Sequence, residues 1–583
     1  MNYLNPIYTE KRECQDCYKC VRNCPVKAIK VEAGCATVIS ELCIVCGQCV
    51  AVCPNGAKRV RDDLPRTRQL LATKKQVLVS LAPSYVSEFP DVRPGQIIRA
   101  LKKLGFFGVS ETALGAQQVS ARAAALLREN PNRVLASSAC PTIVGYLQKH
   151  HENGAALLTG LLSPLLTHGK MLRQAFGPEI GVVFIGPCIA KKLEADGRPD
   201  LLDVALTFED LRRWLELEKI DLPDVKETPA DRFIPERAAE GAWYPVDGGM
   251  IAGMKSACAM NDCSLMAFSG LGAIRKALEG LGEMKPDNGL FLELLACEGG
   301  CVNGPKAARR AATIVKRRRV LQSVPPPDRP WPRRPVVENQ ADFRVARPPV
   351  IHYSEAEIRE ALRAVGKLSS DDELNCGGCG YESCRDFAVA LIGGKAERAM
   401  CVTYMRKLAH KKANALLQKM PSAVVIVNET LRIIEFNAAF VSLFARDRAG
   451  NGAAVLEGVA LSEVMPFAAL FHNVLKTGED ILDRDLRFQN TILHATIFNI
   501  EKHCLVGGII QDITRPAVRK EQVIRKAREV IQKQLATTQQ IAYLLGENAA
   551  ESEIALNSII DSFSPPRPDE PKDDHDWRKL YRR

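Results

Sequence analysis

The stretch FLELLACEGGCVNGP (residues 291–305) runs from an apolar segment into a glycine-rich turn that carries Cys297 and Cys301. Thiolate sulfur is a soft ligand suited to iron, and Gly299 and Gly300 have no Cβ, so their amides can turn toward the sulfurs. Upstream, two isolated cysteines sit in similar company: Cys140 in SSACPT (137–142) and Cys188 in GPCIAKK (186–192). Four thiolates from three turns predict a single inorganic site. The runs QVLVSLAP (76–83), GVVFIGPC (181–188) and LFLELLAC (290–297) are apolar, and each ends at a motif turn. Alternating with amphipathic helices over 76–316, they read as buried strands of an α/β domain whose site lies at the carboxyl ends of its strands.

In this order, the three cysteine stretches resemble the signature motifs of the FeFe hydrogenases. The H-cluster of that family is a 4Fe-4S cubane joined through one cysteine sulfur to a di-iron centre with CO and cyanide ligands. The resemblance implies that Cys140, Cys188, Cys297 and Cys301 hold the cubane, with Cys301 bridging to the di-iron centre. It implies that the turn Ala82-Pro83-Ser84 brings Ser84 to an iron-bound cyanide, and that Lys191 binds the other cyanide, a cation beside an anionic ligand. GGM at 248–250 and SGLG at 269–272 match glycine-rich turns of the family, and SGLG lacks the full dinucleotide fingerprint.

Departures from the family pattern matter equally. Catalytic members carry a proton-relaying cysteine immediately before the first cubane ligand, where this chain has Ala139. A methyl group neither donates nor accepts a proton. The glutamates that continue the family's proton path fall near Arg122 and Ala123, while Leu295 and Gly186 stand where methionine is expected. These departures resemble the sensory subgroup and imply a site that meets hydrogen but turns it over slowly.

A chain of 583 residues suggests about four domains. Hydrophobic content of 46% and charged content of 25% are ordinary for a globular protein. No apolar run approaches the ~20 residues that span a bilayer, and MNYLNPIYTEKRE has no signal-like core, so a cytoplasmic protein without membrane contact is expected. Twenty cysteines with CxxC spacings then point to metal rather than disulfides. All but Cys35, Cys258, Cys263 and Cys504, read as structural thiols, fall into cluster-binding sets. Much of the net charge of +11 lies in KAARRAATIVKRRR (306–319), followed by VPPPDRPWPRRP. With no DNA-binding motif beside it, that basic stretch reads as solvated linker rather than a nucleic-acid surface.

The whole chain is read as an α+β multidomain protein. Residues 1–62 form a two-cluster ferredoxin-like domain, in which Cys14, Cys17, Cys20, Cys24-Pro25 and Cys43, Cys46, Cys49, Cys53-Pro54 repeat the CxxCxxCxxxCP run. In such a repeat three cysteines of one run and the fourth of the other hold each cubane, giving Cys14, Cys17, Cys20 and Cys53 for one and Cys43, Cys46, Cys49 and Cys24 for the second. The H-cluster domain spans 63–316, a Pro/Arg-rich linker 317–349, and a small Fe-S domain 350–410. In that last domain NCGGCGYESCRDFAVALIGGKAERAMC (375–401) resembles a four-cysteine module in which Cys376, Cys379, Cys384 and Cys401 hold a third 4Fe-4S cluster, with structural zinc as the alternative.

Residues 411–515 resemble a PAS domain, with strand, turn, strand and a helix capped by Asn437, ending in VGGIIQDIT (506–514). Its His472, His494 and His503 read as surface or core residues rather than haem ligands. A signalling helix or coiled coil follows at 516–562, with Ile524, Ala527, Ile531, Ile541 and Leu545 at a and d positions. The tail 563–583 is too rich in Pro and charge for a core. The functional expectation is a sensory FeFe hydrogenase of low turnover that relays redox state through its 4Fe-4S clusters to the PAS domain and helix. Expected partners are H2, ferredoxin or another electron carrier, and a downstream kinase, phosphatase or other regulator, with homodimerisation left open. The alternatives are a catalytic ferredoxin-dependent hydrogenase and an iron-sulfur redox sensor or electron carrier without the di-iron centre.

Overall fold

A computed structural model describes residues 5–257, 265–281, 289–324, 336–349, 351–446, 456–489, 491–514, 526, 528–534 and 536. The chain divides into two compact units, Met1–Glu397 and Arg398–Arg583. The division falls inside the segment 350–410.

The first unit opens with four short strands, β1 (Ile7–Thr9), β2 (Ile29–Glu32), β3 (Cys35–Val38) and β4 (Lys58–Val60), paired antiparallel as β1 with β4 and β2 with β3. The β2–β3 hairpin turns at Ala33 and Gly34, both at positive φ, the geometry of a tight two-residue turn. Strands this short bury little on their own, and the interior of the segment is filled by Cys20, Cys24, Cys49 and a few aliphatic side chains.

Seven parallel strands follow: β5 (Val77–Leu81), β6 (Gly108–Glu111), β7 (Val134–Ala136), β8 (Gly181–Gly186), β9 (Val204–Thr207), β10 (Leu265–Ser269) and β11 (Leu290–Leu295). They form two sheets, ordered β6-β5-β8-β9 and β10-β11-β7. Every residue of β5, β8 and β11 is buried, which is why their sequences run apolar without alternation: helices cover both faces. The carboxyl ends of β5, β7, β8 and β11 lead into the turns of Ser84, Cys140, Cys188 and Cys297.

The described parts of the Pro/Arg-rich stretch 317–349, residues 317–324 and 336–349, include the end of a helix and a strap bonded to the domain, where composition suggests a solvated linker. The basic run continues in a helix, Thr313–Gln322, that buries Lys316 and Val320. Lys316 Nζ donates to Val302 O and Asn303 Oδ1, both 3.3 Å away, in the loop after Cys301. Residues 336–347 then lie along the domain as a strap. Leu162 N donates to Asn339 O at 2.7 Å, Ala341 N to Gly160 O at 2.8 Å and Ala346 N to Gln148 O at 3.1 Å, and Val337 and Asn339 are buried. The strap satisfies its backbone groups on the domain rather than in water, and hydropathy does not reveal that choice.

The small module within the first unit has helices Glu355–Ala364 and Cys384–Ile392, each opened by a capping box, Ser354 with Glu357 and Ser383 with Asp386. It packs on the short helix Lys19–Arg22 and on β2. A Cβ on Gly380 would lie 2.9 Å from Val21 Cγ1 and 3.0 Å from Arg22 N, and Val31 N donates to Lys395 O at 2.9 Å.

In the second unit a helix, Val402–Lys419, precedes a five-stranded antiparallel sheet of β12 (Ala423–Val427), β13 (Ile433–Phe436), β14 (Ile481–Phe488), β15 (Thr491–Glu501) and β16 (Leu505–Asp512), ordered β13-β12-β16-β15-β14. This is a PAS-like domain. Asn437 caps the helix Ala438–Phe444 by accepting from Phe440 N at 3.0 Å, and its amide also joins the backbone of Ser422 and Val424. The core is built on Val425, Phe440, Phe471, Leu493 and Val506. His494 is engaged by Asp483 and Asp485, and His503 Nδ1 bonds Leu475 O. Residues 528–534 are helical, while Ile524, Ala527, Ile541, Leu545 and the tail 563–583 lie outside the described residues. Among the described residues, no helix is long and apolar enough to cross a membrane.

Candidate metal centre

Cys140 caps the helix Pro141–Lys149, Cys188 follows β8, and Cys297 and Cys301 flank the glycines after β11. Gly300 sits at φ +95°, and a Cβ there would lie 2.3 Å from Pro245 O, so only glycine lets the turn close on its neighbour. The four sulfurs act on one another. Burial, then the charges of Cys301, Cys188 and Cys140, pushes the Cys297 thiol well up. Cys301 is pushed up by burial and then by Cys140 and Cys188, with Lys191 opposing. Burial and then Cys140 raise Cys188 to about 11. Cys188, Cys297 and Cys301 cannot ionise together unless positive charge, such as metal, is placed between them. Among the described residues no three His, Cys, Asp or Glu side chains converge on a single-ion site.

Around these sulfurs, Lys191 Nζ donates to Ser163 Oγ at 3.2 Å and pairs with Glu194 at 2.6 Å. Ser84 is buried at the start of the helix Tyr85–Glu88, and its Oγ has no hydrogen-bond partner. Ala139 lies against an apolar cluster that includes Leu161, Met250, Met254 and Phe291. Arg122 pairs with Glu129 on the outer side of its helix, and Ala123 is buried in the same apolar cluster. Gly186 has no room for methionine: a Cβ there would meet the Phe184 ring at 2.4 Å and Ala82 Cβ at 2.8 Å.

In the N-terminal segment two cavities sort the cysteines. Cys14, Cys17, Cys20 and Cys53 line one, and Cys24, Cys43, Cys46 and Cys49 line the other, so each cavity takes three cysteines of one run and the fourth of the other. The second cavity adjoins the hydrogenase-type site. Ile44 is part of the apolar cluster that Cys46 and Cys140 pack against, Cys46 acts electrostatically on Cys297, and Gly47 approaches Pro305 and Ile189 too closely for a side chain. In the small module Cys376, Cys379 and Cys384 lie in the first unit, and Cys401 caps the helix Val402–Lys419 in the second. Tyr381 in that module's loop is buried, and burial, then the charges of Cys379 and Cys24, raises it to about 12.

Several functional neighbours escaped the sequence reading. Ser163 and Glu194 position Lys191, and only the second, three residues on in the same helix, left a trace in spacing. Glu293 is a buried carboxyl raised to about 7 by burial, with Oε2 accepting from Ile251 N at 3.0 Å; its signal was one acid inside the apolar run FLELLAC. Cys35 and Cys504, read as structural thiols, line neither cavity. Cys35 is half-buried with its thiol hydrogen-bonded to that of Cys14, and Cys504 is exposed in the turn before β16. A thiol in the hairpin strand beside a ligand loop faces that loop because side chains alternate across the pleat. Cys258 and Cys263 lie outside the described residues.

Comparison with known families matches residues 75–305 to the iron-only hydrogenase large subunit, C-terminal domain. It matches 372–403 to an Fe-S cluster family and 36–59 to the 4Fe-4S binding domain. The chain is 24% identical over 365 residues to the NADP-reducing hydrogenase subunit HndD of Solidesulfovibrio fructosivorans, covering 50% of this chain and 62% of that protein. It is 26% identical over 236 residues to the cytosolic Fe-S cluster assembly factor narfl of Danio rerio, covering 34% and 56%. The chain thus spans between half and two thirds of the length of these curated relatives. A solved [FeFe]-hydrogenase from Chlamydomonas reinhardtii aligns with a TM-score of 0.37 and 18% identity, covering 49% of this chain and 100% of the other. Residues 75–305 are thus similar to the iron-only hydrogenase large-subunit domain, and they lie in one chain with a 4Fe-4S binding match, an Fe-S cluster match and a C-terminal antiparallel-sheet domain.

Proposed function

We propose that the chain is a sensory FeFe hydrogenase, in which Cys140, Cys188, Cys297 and Cys301 hold the cubane of an H-cluster and Cys301 bridges it to the di-iron centre. The observation that carries this reading is the mutual electrostatic influence of Cys140, Cys188, Cys297 and Cys301, which with burial pushes the Cys188, Cys297 and Cys301 thiols up, together with the buried, unpartnered hydroxyl of Ser84. The residues fit the group. A buried hydroxyl with nothing to bond is a donor in want of an acceptor such as cyanide, and the Lys191 ammonium is held beside Cys188 and Cys301 by Ser163 and Glu194.

Bound there, the H-cluster supplies reversible heterolysis of H2 into protons and electrons. The protein binds, orients and excludes water. Slow turnover follows from Ala139, which presents a methyl among apolar neighbours where a proton has to leave. Cys24, Cys43, Cys46 and Cys49 would hold one cubane, Cys14, Cys17, Cys20 and Cys53 a second and Cys376, Cys379, Cys384 and Cys401 a third, and these clusters would supply one-electron storage and transfer. The PAS-like domain and following helix pass the state to a regulator such as a kinase or phosphatase, and ferredoxin or another carrier exchanges the electrons.

Infrared spectra of the anaerobically matured chain test this. CO and cyanide bands that respond to H2, with low turnover raised about tenfold or more by Ala139→Cys, are the expected result. High turnover in the unmodified chain rejects the sensory reading in favour of a working hydrogenase. A second reading, an iron-sulfur redox protein with no di-iron centre, is favoured by the likeness to an Fe-S assembly factor; iron in the four-cysteine sites without CO and cyanide bands selects it.

A further inference from the structure

The two cavities of the N-terminal segment have nearly identical ligand runs and unlike surroundings. That of Cys24, Cys43, Cys46 and Cys49 is walled by aliphatic side chains, including Ile7, Val26, Ile29, Val38 and Ile44. That of Cys14, Cys17, Cys20 and Cys53 is lined by Lys58. Lys58 is only 3% exposed; its Nζ donates to Thr9 Oγ1 at 2.7 Å and to Ala36 O, both neutral. No ion pair links it to a carboxylate among the described residues. Glu13, which lines the same cavity, pairs with Arg59, while Asp16 accepts from Tyr18 OH at 2.7 Å and has its carboxyl pushed up, chiefly by burial. After burial, the Lys58 ammonium is the largest influence on the Cys20 thiol, while on Cys49 it ranks behind Cys46 and Cys43.

We propose that Lys58 raises the reduction potential of the outer cubane, held by Cys14, Cys17, Cys20 and Cys53, above that of the inner one, and so makes the outer cubane the place where electrons collect. Adding one electron to a cubane adds one negative charge to a buried anion. A fixed cation in a low-dielectric interior favours that reduced state, and aliphatic walls disfavour it. The inner cubane lies beside Cys297, so electrons leaving the hydrogenase-type site pass through it and fall to the outer one. This arrangement suits a sensor, because the outer cubane keeps the record of reduction after the inner one is oxidised again. The inference rests on the assignment of ligands to the two ferredoxin-type clusters.

The experiment loads the full chain with iron and sulfide anaerobically, counts iron per chain, and follows the cubane signals by electron paramagnetic resonance during a potentiometric titration. Cys14→Ser identifies the outer signal by removing or altering it. The outer cubane is expected to titrate at the higher potential. Lys58→Met and Lys58→Gln are expected to lower its one-electron equilibrium at least tenfold, about 59 mV, with a smaller shift at the inner cubane, while Lys58→Arg leaves it near the unmodified value. Two neutral variants of different shape guard against one that fails to load. Full iron content with unmoved potentials in either neutral variant overturns the proposal, as does an equal drop in Lys58→Arg, which makes the effect one of packing. A segment that takes up no iron at all overturns the ligand assignment and the proposal with it.

Discussion

The N-terminal segment and the hydrogenase-type domain both gather cysteines, by opposite routes. In the first, each run places its ligands within eleven residues, and short strands merely close the loops around them. In the second, Cys140, Cys188, Cys297 and Cys301 come from three turns on two separate sheets, held by contacts as long-range as Gly300 against Pro245. A local site depends on little besides its own loops. A dispersed one exists only when the whole domain is folded, so loading and stability are coupled there.

The sharpest way to break this contrast is to delete one ligand from each. Cys301→Ser is expected to remove the CO and cyanide bands completely while iron in the N-terminal clusters stays. Cys14→Ser is expected to remove one N-terminal cubane and leave the bands in place. Infrared spectroscopy and an iron count on the matured chain read both, and bands that vanish in Cys14→Ser as well would show the two sites to be one cooperative unit.

Glycine variants sharpen it next. Gly300→Val puts a side chain at φ +95° with its Cβ 2.3 Å from a backbone oxygen, and is expected to cost about 3 kcal/mol or more and to prevent the H-cluster from loading. Gly56→Ala in the N-terminal segment is at φ +65° with nothing within 4 Å of the new Cβ, so it meets only the backbone penalty, about 1 kcal/mol. Denaturant unfolding of the unloaded chain separates the two.

The same contrast sets what the sequence could disclose. The doubled cysteine run was legible because its chemistry is local, down to the exchange of Cys24 and Cys53 between cavities. The strands of the hydrogenase-type domain were legible because burial on both faces leaves apolar runs, broken in β5 and β11 only by Ser80 and Glu293. Their division into two sheets, the strap at 336–347 and the seating of Gly380 on Val21 were not. Those depend on backbone groups finding partners far along the chain, and no periodicity records that. Lys58 hid for another reason, since a single lysine after CPNGA reads as surface unless the cavity that it lines is known.

Between the two routes lies the sheet that carries the dispersed site. His168 is fully buried, with Nδ1 2.8 Å from Ser80 Oγ and Nε2 2.8 Å from Ser110 Oγ. Burial lowers its pKa from 6.5 to about 3, so in the folded chain it stays neutral. The unfolded chain binds that proton below pH 6.5. Stability from His168 is therefore fully present above that pH and is lost as pH falls toward 3, by roughly 1.4 kcal/mol per unit. Glu111 and Glu293, raised to about 7 by burial, act in the opposite sense, destabilising the fold as pH rises from 4.5 toward 7. The comparison with a variant isolates the histidine. His168→Asn is expected to cost about 2 kcal/mol at neutral pH through the serine hydroxyls that it leaves unpaired, and this gap shrinks as the pH is lowered from 6 to 4. A gap that stays constant over that range would mean that His168 is not held neutral.

The smallest expected effect on stability falls at Ser84, and it separates a residue kept for the fold from one kept for a ligand. A buried hydroxyl without a partner contributes nothing to the unloaded chain and costs its own desolvation, so Ser84→Ala is expected to be neutral within about 0.5 kcal/mol, or slightly stabilising. If Ser84 donates to an iron-bound cyanide, the same variant must move a cyanide band in the matured protein, because withdrawing a hydrogen bond changes the charge on that ligand. A fold residue would do the reverse, losing about 1 kcal/mol in the unloaded chain and leaving the bands where they were. Unfolding of the unloaded variant and infrared spectra of the loaded one therefore have to disagree if the dispersed site is built for the H-cluster.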